Sequence, residues 1–139
     1  MTHTTNLIAS AIENLHIEKL NSMQLDAIDS IEKNQNTVLL APTGSGKTIA
    51  FLLPILKMMD ANKDQIQALV LAPSRELSIQ IEQVFKSMKT GFRSLCCYGG
   101  HAVSVEKKSL QARPALLIGT PGRIADHLRR EHIDTTGIQ

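Results

Sequence analysis

An octapeptide of mostly small residues, spanning 41–48, separates two apolar runs at 37–40 and 49–53. This order predicts a buried strand that leads through a loop into a helix. Gly44 and Gly46 let the main chain curl so that its amide groups point at an anion, and the helix N-terminus adds a positive dipole end. We therefore interpret this segment as a phosphate-binding loop. Its residues are Ala41, Pro42, Thr43, Gly44, Ser45, Gly46, Lys47 and Thr48.

The last two residues of the loop indicate what it binds. Lys47 offers an ammonium group to the outer phosphates of a nucleotide, and Thr48 offers a hydroxyl to a Mg²⁺ ion that bridges those phosphates. Gly-Lys-Thr after a predicted strand and before a predicted helix favours a nucleoside triphosphate with Mg²⁺. A chance glycine-rich loop is the alternative explanation.

The composition sets limits on the partners of the chain. Its 139 residues suffice for one domain with a core, and a net charge of +2 permits nucleic-acid binding without demanding it. Aromatic residues make up only 3% of the chain. Because bases stack on aromatic side chains, we expect any nucleic acid to be held by its backbone.

The two cysteines, Cys96 and Cys97, are adjacent in an apolar stretch. Vicinal cysteines rarely form a disulfide, so we expect buried, reduced thiols in a cytoplasmic protein. The histidines show no zinc-like spacing with them, and no metal cluster is expected. The sequence also predicts neither a signal peptide nor a membrane span.

The rest of the chain predicts strands that alternate with helices. This alternation is typical of an α/β fold with a parallel sheet covered on both faces, in which ligands gather at the carboxyl ends of the strands. A capping box of Asn21 and Gln24 is expected to open one helix, and Pro54 to kink or break another. Besides the strand before the octapeptide, the predicted strands are 68–72, 94–98 and 115–118, and the other predicted helices are 7–15, 76–89, 104–111 and 123–130.

Three further loops follow the predicted strands, at 73–75, 99–100 and 120–123. Taken singly, each has an ordinary explanation. Ser74 can cap the next helix, and Gly-Gly or Thr-Pro-Gly can form a turn. Their common position at strand ends is what suggests a shared function.

Taken together and in this order, these segments resemble the first RecA-like domain of the DEAD-box ATP-dependent RNA helicases. The octapeptide resembles motif I of that family, 73–78 resembles motif Ia, 99–100 the glycine doublet and 120–123 motif Ib. Gln24 falls where the family's Q motif has its glutamine. The resemblance implies a P-loop NTPase fold, a three-layer sandwich with a mostly parallel sheet, over residues 1–139, with a helical Q-motif region at 1–36.

The resemblance also implies roles for these residues. Gln24 would bond the adenine edge of ATP, although Leu7 stands where the family usually has an aromatic residue and Asn21-Ser22 where it has Pro-Thr. The strand-end loops would hold the sugar-phosphate backbone of RNA without reading its sequence. The implied RNA-binding residues are Pro73, Ser74, Arg75, Gly99, Gly100, Thr120, Pro121, Gly122 and Arg123.

Family members continue into a strand that ends in Asp-Glu-Ala-Asp, and this sequence contains no such segment. We therefore expect an incomplete domain, the N-terminal part of a two-domain helicase, with no meaningful ATP hydrolysis of its own. In the family's sheet, the strands that would follow lie between the phosphate-loop strand and the other three. Their absence predicts open apolar edges and self-association.

Two other functions remain open at this point. One is a DNA helicase or translocase of the same superfamily. The other is a non-catalytic module that binds nucleotide, RNA or a partner protein without turnover.

Overall fold

The computed structural model describes residues 2–139, with side chains from residue 5 onward. Within these residues the chain forms six helices and three strands. It divides into two compact units, the first comprising the chain up to Met58 with Ser87–Thr90, and the second comprising Met59–Lys86 with Gly91–Gln139. No helix among the described residues is long and apolar enough to cross a membrane.

The first unit is helical. It contains α1 (Thr2–Asn14), α2 (Ser22–Lys33) and α3 (Lys47–Met58), and α3 packs against both of the others. Leu52, Leu53 and Leu56 of α3 are almost fully buried, because the apolar run after the octapeptide places them at helical spacing. The helix continues through Pro54, so the local break predicted there does not form. The buried proline ring contributes to the core although it donates no backbone hydrogen bond.

A capping box opens α2, as the sequence predicts. The Asn21 side chain accepts from the backbone N–H of Gln24 at 2.8 Å, and the Gln24 side chain accepts from the backbone N–H of Asn21 at 3.0 Å. The two bonds satisfy amides that the helix leaves without partners. They also fix the Gln24 side chain in one orientation.

The strand predicted at 37–40 is absent, and this prediction was wrong. The segment has no strand partner among the described residues, and Val38 and Leu40 are 86% and 90% exposed. An apolar run becomes a strand only when a neighbouring strand satisfies its backbone groups and covers its side chains. The described chain supplies no such neighbour to this segment.

The second unit is built on a parallel sheet. Its strands are β1 (Ala68–Leu71), β2 (Ser94–Cys97) and β3 (Leu116–Gly119), in the order β1-β3-β2. They alternate with α4 (Arg75–Ser87), α5 (Val103–Gln111) and α6 (Pro121–Arg129). The predicted α/β class is therefore confirmed, as are three of the four predicted strands.

Burial falls from the centre of this sheet to its edge. All of β3 is buried, and its Leu117 packs in a cluster whose other buried members are Ile66, Cys97, Leu110, Ile124 and Ile133. β1 lies at the edge, with its residues only partly buried and Leu71 53% exposed. The expected coverage of the sheet on both faces is therefore incomplete at β1, which no strand among the described residues pairs on its outer side. An open apolar edge of this kind favours the self-association that the sequence suggested, which stays a prediction.

Candidate functional site

The octapeptide forms a loop over 41–46, and α3 begins directly after it at Lys47. Gly44 and Gly46 have φ angles of +81° and +88°, which residues with a side chain rarely adopt. A Cβ added at Gly46 would lie 2.5 Å from Nε2 of Gln24. A residue with a side chain would therefore be strained in its backbone here and would also clash with Gln24. The loop therefore presents bare main chain at the N-terminus of a helix, which is the arrangement that binds phosphate.

Side chains within the loop hold its shape. Oγ of Ser45 donates to the Pro42 carbonyl at 2.6 Å, and its backbone N–H donates to the same oxygen at 3.3 Å. Nζ of Lys47 donates to the Ala41 carbonyl at 2.7 Å, which brings the ammonium group back across the loop. An ammonium group has three donors, so this one bond leaves two for a phosphate.

The amide of Gln24 joins α2 to the loop. Its Nε2 donates to the Gly46 carbonyl at 3.3 Å, and the neighbouring Asn21 donates from Nδ2 to the Ser45 carbonyl at 3.1 Å. Gln24 is only 5% exposed. The structure thus brings this predicted residue next to the octapeptide, within the first unit. The contact with adenine stays a prediction.

The donor set fits a magnesium nucleotide. Bare amides, a helix N-terminus and the Lys47 ammonium group suit the phosphates. The Thr48 hydroxyl, at the second position of α3, is the kind of hard oxygen ligand that Mg²⁺ accepts beside phosphate oxygens and water.

In the second unit, the sheet register brings the predicted strand-end loops together. Leu71, Gly119 and Cys97, the last residues of the three strands, lie side by side in the register. The loops that follow them, at 72–74, 98–102 and 120, therefore leave the same edge of the sheet. The N–H of Thr120 donates to the Cys97 carbonyl at 3.1 Å, and the N–H of Ala72 donates to the Gly119 carbonyl at 3.0 Å. The predicted position of these loops, each at the carboxyl end of a parallel strand, is confirmed for these three strands.

Arg75 lies at the start of α4, where Ser74 caps the helix as predicted. Oγ of Ser74 accepts from the backbone N–H of Leu77 at 3.2 Å. The Arg75 guanidinium lies over the ring of Tyr98, with Cζ 4.8 Å from the ring centroid. A Cβ added at Gly100, whose φ is +108°, would come within 3.0 Å of Nη1 of Arg75. The glycine doublet therefore leaves room for this exposed guanidinium.

Arg123 lies in the first turn of α6, which begins at Pro121 after Thr120. Its Nη1 donates to the His101 carbonyl at 3.0 Å and to Oε1 of Glu106 at 3.1 Å. Both bonds use the same nitrogen, so the donors on Nη2 and Nε are not engaged by them. Gly122 is exposed, and no atom lies within 4 Å of a Cβ added there, which leaves the backbone of this first turn open to a ligand.

The residues that support Arg123 were not predicted from the sequence. Glu106 is 2% exposed and His127 is fully buried. Nε2 of His127 lies 2.8 Å from Oε1 of Glu106, and its Nδ1 lies 2.9 Å from Nδ1 of His132. A signal was present, since Val103, Glu106 and Leu110 share one face of α5, and a carboxylate among apolar positions on a helix indicates a buried partner.

Three potential metal ligands also meet in this unit. Cys97, Glu106 and His127 each place one ligand atom within 4.8 Å of the others, a grouping that their spacing in the sequence did not reveal. Burial raises the pKa of the Cys97 thiol to about 12, which disfavours the thiolate that binds metals. The Arg123 guanidinium already lies 3.1 Å from the carboxylate. A cation here would meet a neutral thiol and a positive charge, so we assign no metal to this cluster.

The other thiol has a similar environment. Burial raises the pKa of Cys96 to about 12, and both cysteines are free and buried, as the sequence predicted.

A glycine-shaped loop at a helix N-terminus, followed by Lys-Thr, together with a parallel α/β sheet, defines a P-loop nucleotide-binding protein. Comparison with known proteins specifies the family. The family model for DEAD/DEAH box helicases matches residues 21–138, and the chain belongs to this family.

Curated relatives of the chain are named as ATP-dependent RNA helicases. The chain is 37% identical over 134 residues to the ATP-dependent RNA helicase DeaD of Escherichia coli strain K12, a match that covers 94% of this chain and 21% of that protein. It is 34% identical over 134 residues to the DEAD-box ATP-dependent RNA helicase CshA of Bacillus cereus, covering 95% of this chain and 26% of the relative. The chain thus spans about a quarter or less of the length of these relatives.

Proposed function

We propose that this chain binds ATP with Mg²⁺ in its first unit and the backbone of RNA in its second. The observation that carries the proposal is the backbone at 44–47, where two glycines with left-handed φ angles lead directly into the N-terminus of α3. Family membership supports the identity of both ligands. DeaD and CshA are ATP-dependent RNA helicases by name, so we propose ATP-dependent RNA unwinding for a full-length protein that contains this chain.

The nucleotide would be held by the loop and by two side chains of α3. The amides of 43–47 would surround its phosphates, the Lys47 ammonium group would contact the outer phosphates, and the Thr48 hydroxyl would bind Mg²⁺. Mg²⁺ supplies charge neutralisation on the phosphate oxygens when it is bound. Gln24 would present the remaining hydrogen-bonding capacity of its amide to adenine.

The RNA would be held by the loops at the carboxyl ends of the strands. Arg75 and Arg123 follow two adjacent strands and can contact successive phosphates, while the exposed amides at Gly100 and Gly122 can contribute neutral donors. Contacts of this kind fix the position of a strand and carry no base information. Tyr98, the tyrosine at these strand ends, is only 8% exposed and offers little ring surface to bases.

The nucleotide part is tested by titrating a fluorescent ATP analogue with Mg²⁺ into the chain. We expect Lys47→Ala to weaken binding by about tenfold or more, since it removes a charge-assisted contact. Lys33→Ala is the matched control, because Lys33 has a 70% exposed side chain and pairs with Asp29 on its own helix. Equal affinity of the Lys47→Ala variant and the wild type would contradict the proposed site.

The RNA part is tested with a fluorescent oligouridylate of about ten nucleotides. Arg75→Ala and Arg123→Ala should each weaken binding and reduce the slope of log affinity against log salt by about one. Arg129→Ala serves as control, since its side chain is 71% exposed on α6. Tighter binding of an oligothymidylate of equal length would favour the DNA alternative, and unchanged affinity in both arginine variants would reject this interface.

A further inference from the structure

Glu106 is a buried carboxylate for which the proposed ATP and RNA contacts give no role. It lies on the apolar face of α5, and its side chain is 2% exposed. Removing a charged carboxylate from water is unfavourable unless hydrogen bonds and opposite charge compensate. A glutamate at such a position therefore depends on the groups around it.

Three groups lie within hydrogen-bond distance of this carboxylate, and Nδ1 of His101 lies 3.6 Å from its Oε2. Oε1 accepts from Nη1 of Arg123 at 3.1 Å and lies 2.8 Å from Nε2 of His127. Oε2 accepts from the backbone N–H of Tyr98 at 3.1 Å. A carboxylate oxygen accepts from His127 in the tautomer that carries the ring proton on Nε2. Glu106 thus joins α6, α5 and the end of β2 at a single point.

The contacts involve two of the three loops proposed to hold RNA. Arg123 follows β3, and Tyr98 immediately precedes the glycine doublet, while the His101 carbonyl accepts a second bond from Arg123. Tyr98 in turn lies under the Arg75 guanidinium. Glu106 therefore contacts Arg123 directly. It also contacts the backbone of Tyr98, whose ring lies under the guanidinium of Arg75.

We propose that Glu106 is a positioning residue that orders Arg123 for the RNA backbone. The inference rests on the proposed RNA-binding function. Glu106 itself is buried away from solvent, and its action is to hold Nη1 of Arg123, whose side chain is 15% exposed, in a position where Nη2 and Nε are not engaged by these bonds. A long arginine side chain loses much rotamer freedom when it binds a phosphate, and ordering it beforehand reduces that cost.

The carboxylate also opposes binding, because its negative charge lies close to the guanidinium. Interactions between a group and a solvent-exposed phosphate are strongly screened, whereas the contact with Arg123 is short and largely buried. We therefore expect the ordering effect to exceed the loss of positive potential, with a net contribution of about three- to tenfold in RNA affinity.

The test uses the whole chain and the oligouridylate probe. Glu106→Leu keeps most of the volume but removes every acceptor, and should weaken RNA binding by about three- to tenfold. Glu106→Gln keeps one acceptor oxygen and should restore most of the loss. Neither substitution should weaken binding further when Arg123→Ala is already present, since the effect acts through Arg123. Glu82→Gln is the matched control for loss of a negative charge, because Glu82 pairs with Lys86 and Ser94 instead.

The outcomes separate this inference from the proposed function. If Arg123→Ala weakens binding and Glu106→Leu does not, RNA binding stands and the positioning role is rejected. If Glu106→Leu reduces RNA affinity equally in the wild-type and Arg123→Ala backgrounds, Glu106 supports the fold in general, and the positioning role is likewise rejected. No effect of Arg123→Ala would reject the RNA contact itself.

A measurement on the wild-type protein makes the test independent of how the variants fold. Nitrogen-detected NMR reports rotation of the guanidinium groups. We expect the Arg123 signals to show slow rotation about Nε–Cζ, and those of the exposed Arg129 to show fast rotation. Equally fast rotation at both arginines would overturn the proposal.

Discussion

The guanidinium of Arg75 lies over the ring of Tyr98, with Cζ 4.8 Å from the ring centroid. The same ring makes a tilted contact with His101, with centroids 4.4 Å apart. The only tyrosine of the chain is therefore engaged with a cation and is largely buried. A cation placed over an aromatic face is attracted by the ring quadrupole, and this attraction holds the arginine at the sheet edge.

We expect Tyr98→Leu to weaken RNA binding by about two- to fivefold, because Arg75 loses the surface that orders it, an effect on the scale of a cation–π contact. Tyr98→Phe keeps the ring and should bind RNA as the wild type does. Affinity for the oligouridylate, measured by fluorescence anisotropy, distinguishes the two. Similar losses in both variants would mean that the hydroxyl, and not the ring face, matters.

The phosphate loop permits a comparison of two glycines. Gly44 and Gly46 both have positive φ, but only at Gly46 would a Cβ meet another side chain, at 2.5 Å from Gln24. Gly44→Ala should therefore cost about 1 kcal/mol of unfolding free energy, from backbone strain alone. Gly46→Ala should cost more, about 2 kcal/mol, and should reduce nucleotide affinity as well. Chemical denaturation measures the unfolding free energies of the two variants. Equal losses would show that the Gln24 side chain moves aside without a measurable penalty.

The thiols of Cys96 and Cys97 should be unreactive in the folded protein. Burial raises the pKa of each to about 12, so at about pH 8 the thiolate fraction is roughly a thousandfold below that of an ordinary cysteine. Modification by a chromogenic disulfide reagent should be slow under native conditions and rapid in denaturant. Fast labelling of protein with an intact circular dichroism spectrum would contradict the buried placement.

Stability should fall as the solution is acidified through neutral pH. Burial, and secondarily the neighbouring His127, lower the pKa of His132 below 6.5 in the folded state. The unfolded chain therefore takes up a proton first, and the stabilising contribution present above pH 6.5 is lost as the pH falls below that value.

The melting temperature should consequently decrease between about pH 7.5 and about pH 5.5, and the decrease should be smaller in His132→Gln. Asp126 and Asp134 have lowered pKa values and begin to lose their contribution only as the pH approaches 3.8, so they do not affect this window. An identical pH dependence in the variant would assign the effect to other histidines.

Local patterns in the sequence predict local structure well in this protein. The capping box at Asn21 and Gln24, the cap at Ser74 and the helix that starts at Lys47 all depend on residues within a few positions of one another. Their hydrogen bonds form wherever the backbone adopts a helix. The positions of the strand-end loops were also predictable, because parallel strands place their carboxyl ends at one edge.

Long-range partners could not be predicted in the same way. The apolar run at 37–40 has the composition of a strand but has no neighbouring strand among the described residues. The outer side of β1 is likewise unpaired among them. Whether an apolar run becomes a buried strand depends on other strands, which a local pattern does not contain.

The groups proposed to bind ligands are evident from local residues: glycines that free the backbone at 44 and 46, an ammonium and a hydroxyl at the start of a helix, and basic residues after the strands. The groups that orient them become apparent only in the folded protein. Glu106 and Arg123 are 17 residues apart in the chain and meet at 3.1 Å. Their meeting depends on how α5 and α6 pack at the sheet, because a buried carboxylate is stable only where folding supplies its donors.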